Sequence, residues 1–173
     1  MIKIIIIFIT LFSLDNLLIL FLPIQPIVGN YIVVPNVLLS ALCIFCFFDK
    51  KNIAPIIAGV FGAFHDLYGN NLFGLYTTLF LLTTVVIKKY VVPSTPINFF
   101  SVFYITTTSI IVQEWTTYFL VTTITNRNMT FIDFLQYRLF ISIIFNLLTL
   151  LISYPFLKKS FEKYHKKNEK SYN

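Results

Sequence analysis

Few side chains in this chain could do chemistry. Asp15, Asp66, Glu114 and Arg138 each stand inside a long apolar stretch. A charged group at the centre of a membrane helix costs roughly 2.5–3.5 kcal/mol on insertion scales, so each should face protein or water rather than lipid. Asp66 has the most informative surroundings, Gly59-Val60-Phe61-Gly62-Ala63-Phe64-His65-Asp66-Leu67-Tyr68-Gly69, with Phe73-Gly74 just beyond. On a helix, Gly59, Gly62, Asp66 and Gly69 fall within about 80° of one another, with Pro55 on the same side. Small residues on one face let another helix approach closely. The pattern predicts a contact face with one expensive polar group set into it, docking either another helix of the chain or a partner's span.

The other charged groups have more than one reading. Asp15 is either a bundle-facing contact or part of a functional polar track. Glu114, beside Gln113, Trp115 and Tyr118, is either a buried carboxylate or a member of an interfacial belt. Asp66 lies about 20 Å along its helix from the cytoplasmic start. That depth matches Arg138, which predicts an Asp66–Arg138 pair.

Cys43 and Cys46 form a C-x-x-C, but no further Cys or His cluster stands near them in sequence, so helix packing is the reading for both. His65 and Asp66 are adjacent and diverge by about 100° on a helix, which disfavours a proton relay through the two. His165 carries no signal. The chain contains no phosphate-binding loop, nucleophile elbow or H-E-x-x-H. Asn128-Met129-Thr130 fits a glycosylation sequon and means nothing outside a eukaryotic secretory context. No residue is assigned a catalytic, cofactor-binding or metal-ligating role, and no enzymatic activity is expected.

These groups must be positioned by membrane helices. Of 173 residues, 57% are hydrophobic and 12% charged, against about 25% charged in soluble domains. Six apolar segments follow, at about 4–22, 32–48, 53–68, 72–92, 98–124 and 132–157, predicting an all-α polytopic bundle of six spans, or five, over 1–157. The first is too long for a signal peptide and lacks a small-x-small cleavage site. Residues 23–31 read as a loop or re-entrant turn. Pro35-Asn36 falls in the opening turn of the second span, where a missing N–H loses no partner. Asn70-Asn71 reads as a polar turn, Pro93-Ser94-Thr95-Pro96 as a helix break, and 158–173 as a solvated, lysine-rich tail.

The net charge of +6 does not form a nucleic-acid stripe. Lys3, Lys50, Lys51, Lys88, Lys89 and the tail lysines all fall beside spans on one side, opposite Arg127, with Arg138 about two turns into the last span. The bias predicts both termini in the cytoplasm. The two halves share no repeat, which disfavours an inverted-repeat carrier.

With these residues in hand, the chain resembles the bacterial rod shape-determining MreD family. Members are small, with five or six spans, a Pro-Asn or Pro-Asp opening the second, and a third of the form G-x-x-x-G-x-x-x-D followed by glycine punctuation. Pro35-Asn36 matches the former; Gly62, Asp66, Gly69, Phe73 and Gly74 match most of the latter. The first glycine is shifted to Gly59, His65 replaces an apolar residue, and Gly69 stands one position early. Asp15-Asn16 stands where many members have a lone polar residue. The likeness covers the first half well and the second only in size and hydropathy.

The resemblance implies a non-enzymatic scaffold in the bacterial cytoplasmic membrane, needed for rod shape and sidewall peptidoglycan synthesis. It would act with a single-span MreC-like protein, an MreB-like actin homologue, RodA and a penicillin-binding transpeptidase, and homo-oligomers are compatible with it. The tail would add contact to anionic lipid or to a cytoplasmic partner. The family is also similar in fold to the substrate-binding subunits of energy-coupling-factor transporters. The alternative is therefore a vitamin-type binding subunit, with Asp15, Asp66 and Glu114 lining a substrate cavity.

Overall fold

The computed structural model describes residues 2–21, 32–69, 74–125 and 130–169. Every regular element among them is helical. Helix α1 is Ile2–Phe21, α2 is Val37–Phe48, α3 is Ala54–Gly69 and α5 is Phe99–Thr125. Helix α4 starts as Leu75–Val86 and is carried on by a π-helical turn, Ile87–Val91, and a 3-10 turn, Val92–Ser94. Helix α6 opens with Phe131–Asp133, passes through a π-helical stretch, Phe134–Leu139, and continues as Phe140–Glu169. Three helices are long and apolar enough to cross a membrane: Ile2–Phe21, Leu75–Ser94 and Phe131–Lys166.

The bundle is arranged around α2. All twelve of its residues are buried, because VLLSALCIFCFF is apolar around its whole circumference and so can be covered on every side. Helices α1, α3, α4, α5 and α6 all pack on it. The most extensive pairing lies between consecutive helices, α3 and α4. Phe8, Phe45 and Phe161 bring α1, α2 and α6 together, with ring centroids 5.6 Å apart for Phe8–Phe45 and 5.1 Å for Phe45–Phe161.

Two expectations change here. The second apolar segment is not helical from residue 32. Residues 32–36 are extended, and Pro35-Asn36 precedes the helix rather than forming its first turn. The lysine-rich segment 158–169 is not a solvated tail, since it prolongs α6. Its Phe161 is fully buried, and Nδ1 of His165 lies 3.1 Å from the Phe48 carbonyl at the end of α2. Aromatic residues among the lysines supply the packing face that a tail would lack. Pro155 lies within α6 without ending it. The proposed loop at 23–31, the Asn70-Asn71 turn, Phe73, Arg127 and the first two sequon residues lie outside the described residues.

Candidate functional site

Helix starts leave backbone N–H groups without intrahelical partners, and such groups are costly when buried. Here two starts are satisfied by aspartates from the preceding helix. On α1, Asp15 is 1% exposed; it accepts from the amides of Val37 at 2.9 Å and Leu38 at 2.8 Å, the first two residues of α2. On α3, Asp66 is 2% exposed; it accepts from the amides of Tyr76 at 2.8 Å and Thr77 at 3.0 Å, and from the Thr77 hydroxyl at 2.5 Å. Each carboxylate also meets the positive end of a helix dipole.

The glycines explain how Asp66 reaches its target. A Cβ on Gly62 would stand 2.6 Å from the Thr77 Cα and 2.8 Å from the Tyr76 carbonyl oxygen. Only a glycine one turn before Asp66 lets the start of α4 lie against α3. Gly74 adopts φ +90° at the N-cap of α4, a left-handed conformation that L side chains disfavour. Gly59 has no such role, since its Cβ would meet only the Leu81 Cδ1, at 3.5 Å. Gly69 is the last residue of α3. The contact face predicted around Asp66 therefore docks the chain's own α4.

Asn36, at the N-cap of α2, makes no capping bond with its side chain. Its Oδ1 accepts from Gln113 Nε2 at 2.8 Å, and its backbone N–H donates to Asn146 Oδ1 at 2.7 Å. Asn146 Nδ2 donates to the Val34 carbonyl at 2.8 Å, Ser142 Oγ accepts from the Val34 N–H at 3.0 Å, and the Ile32 N–H donates to the Tyr137 carbonyl at 2.8 Å. Ser142 and Asn146, four residues apart on one face of α6, thus serve as the hydrogen-bonding edge for extended backbone, which is tolerated inside a bundle only when so satisfied.

The predicted Asp66–Arg138 pair does not form. Arg138 Nε donates to Glu114 Oε2 at 2.8 Å, while Asp66 is occupied with α4. Glu114 is 1% exposed, so it does not belong to an interfacial belt; Trp115 beside it, 48% exposed, points outward. Glu114 Oε1 also lies 3.5 Å from Asn36 Nδ2, which joins the ion pair to the α2 start. Each of the three acids is bonded within the bundle.

The remaining candidates resolve simply. The Nε2 of His65 lies 4.0 Å from Asp15 Oδ2, beyond hydrogen-bond reach. Its ring stacks on Tyr76 with centroids 5.3 Å apart. Cys43 and Cys46 are buried free thiols. No cluster of His, Cys, Asp and Glu suited to a metal occurs among the described residues.

Sequence reasoning missed Asp49, Lys88, Ser142 and Asn146. Asp49 accepts from the Lys51 N–H at 3.0 Å and the Ala54 N–H at 2.8 Å, and pairs with Lys88 Nζ at 2.6 Å. An aspartate five residues before an apolar helix was the available signal for Asp49. For Asn146 it was a lone amide four residues after a serine in an apolar run. Lys88 and Arg138 both stand in π-helical turns, which are enriched where a side chain must be re-aimed for a purpose.

No protein-family model, curated protein or solved structure matches the chain.

Proposed function

We propose that the chain is a non-enzymatic membrane scaffold of the MreD type, acting in the bacterial cell-elongation machinery with an MreC-like single-span protein, an MreB-like actin homologue, RodA and a penicillin-binding transpeptidase. One observation supports this reading above the others. Asp15, Asp66 and Glu114 are each occupied within the bundle, by helix-start amides or by Arg138. They hold helices in register, and none is left to meet a substrate. The Gly62–Asp66–Gly74 constellation that carries the resemblance acts in the same way, by fixing one helix against the next.

In this reading α1 to α6 all cross the cytoplasmic membrane, with both termini inside. Helix α2 and the extended residues 32–36 would together form one span. The positive-inside bias fits, since Lys3, Asp49–Lys88 and the lysines of α6 gather at the end of the bundle where Phe8, Phe45 and Phe161 meet.

The test is affinity capture of the tagged full chain from native membranes in mild detergent, followed by mass spectrometry. Recovery of an MreC-like single-span protein in near-stoichiometric amount is the expected result. Recovery of ABC-type ATPases with a membrane coupling subunit would overturn the scaffold in favour of a vitamin-type transporter subunit.

A further inference from the structure

Two stretches of π-helix stand among the described residues, and they have different causes. In α4 the π turn Ile87–Val91 runs into Pro93. A proline has no N–H to give and crowds the carbonyl four residues back, so a regular α-helix does not pass through it. In α6 the stretch Phe134–Leu139 reads FLQYRL. It holds no proline, glycine or β-branched residue, and Leu, Gln and Arg are good α-formers. Pro155 lies well beyond it, within regular α-helix. Nothing local asks for the wider turn, so contacts from outside α6 hold it.

Two such contacts meet consecutive residues of the stretch. The Phe140 N–H donates to the Leu135 carbonyl, five residues back, which displaces the helix ladder by one residue. Within that displaced turn the Tyr137 carbonyl accepts the Ile32 N–H at 2.8 Å. Arg138 Nε donates to Glu114 Oε2 at 2.8 Å. The extended segment before α2 and the buried acid of α5 thus both bear on the π turn.

The alternative is a regular α-helix through the same residues. Ser142, Asn146 and Phe161 fix the rest of α6 against α2 and the segment before it. Returning the extra residue to the ladder would therefore move the start of α6, by about 1.5 Å along the axis and about 100° around it. Leu135 would then take the place of Phe134, which is fully buried and stacks on Tyr118 with centroids 4.2 Å apart. Ile132 would take the place of Phe131, whose ring lies 5.6 Å from that of Trp115. Both arrangements lay apolar side chains on the same aromatic face of α5. They differ in Arg138, which turns from Glu114, and in the Tyr137 carbonyl, which returns to the ladder. Packed elements of this kind take one discrete arrangement or the other.

We propose that residues 134–139 of α6 are a register switch. The Arg138–Glu114 pair and the Ile32–Tyr137 bond hold the π form, and loss of the pair lets the stretch relax to α-helix with the start of α6 turned by one residue. The test is thiol cross-linking of the full chain in membranes, in a Cys43→Ala/Cys46→Ala background carrying Tyr118→Cys, with a short bifunctional reagent. With the ion pair intact, Phe134→Cys should be captured in preference to Leu135→Cys. Adding Glu114→Gln/Arg138→Met, which removes both charges at nearly constant volume, should reverse that preference. In the same double variant, purified, amide exchange at Ile32 should rise about tenfold while Val37 and Leu38 stay protected. Unreversed capture in the folded double variant would overturn the switch, as would unchanged exchange at Ile32. Deletion of Gln136, an exposed residue of the stretch, decides the matter if the double variant does not fold. It removes the extra residue and leaves both flanks in place, so capture at position 134 should persist. Loss of that capture would overturn the proposal.

Discussion

The starts of α2 and α4 both rest on an aspartate of the preceding helix that accepts from two consecutive amides, yet the two are supported differently. At α4 the support is local. Asp66 lies 10 residues before Tyr76, α3 and α4 are neighbours in sequence, and Gly62 removes the one obstacle to their contact. At α2 the support is distant. Asp15 comes from 22 residues away, and the extended segment entering the helix is held by Ser142 and Asn146, 108 and 110 residues on. Satisfying buried amides with a carboxylate solves the same electrostatic problem at both places. Only the means of delivering that carboxylate differ, and they set how each start should fail.

The largest effect is expected from Gly62→Leu. Its side chain would collide with α4 backbone, and because backbone cannot give way as a side chain can, the loss should exceed the ~1–3 kcal/mol usual for overpacking and reach about 4 kcal/mol. Under mildly destabilising conditions, hydrogen exchange should speed up at Tyr76 and Thr77 while Val37 and Leu38 remain protected. Equal loss of protection at both starts would mean that the two are not separate units.

Next comes Arg138→Ala, which strands Glu114 as a buried, unpaired charge and should cost about 3–4 kcal/mol in reversible unfolding. The double variant Glu114→Leu/Arg138→Leu should recover most of that. Combined with Asp66→Ala, Arg138→Ala should be additive to within about 0.5 kcal/mol, because the two residues share no partner. Strong coupling between them would restore the discarded pair.

Asp15→Ala should cost about 2–3 kcal/mol through two buried amides left without an acceptor. Asp15→Asn, which keeps one acceptor oxygen, should cost about half as much; an equal loss would place the contribution in charge against the helix dipole rather than in the bonds.

Gly74→Ala should cost about 1–2 kcal/mol, from φ +90° alone, since its Cβ would meet nothing within 4 Å. The smallest effect belongs to Gly59→Ala, for which thermal unfolding should show a change of about 0.5 kcal/mol or less, and a gain if anything, from a better helix former in ordinary contact with Leu81. A large loss there would mean that Gly59 is as necessary to the α3 face as Gly62.

The contact face of α3 was legible in the residue pattern because its parts are close together: Gly62 and an aspartate one turn later are placed on one side by the periodicity of a single helix, whereas the α4 start that meets them, and the service of Asp66 to its amides, was not. The helical class and the extents of α1 and α5 were legible for the same reason, as apolar length and helical period are local properties. What misled was depth matching. It paired Arg138 with Asp66 on equal distance along two helices, without the rotation of either helix or the demand of the α4 amides.

The amino-acid sequence by itself determined that this chain forms apolar helices, where most of them run, and that Gly62 and Asp66 share a contact face. Tertiary structure alone decided that Asp15 serves α2, that Glu114 is the partner of Arg138, that residues 32–36 stay extended, and that Phe161 draws the basic segment onto the bundle. Those outcomes depend on which groups remain unsatisfied once helices from distant parts of the chain are packed. An unpaired N–H at the start of α2 acquires its cost, and so its choice of partner, only when the surrounding helices have excluded every alternative.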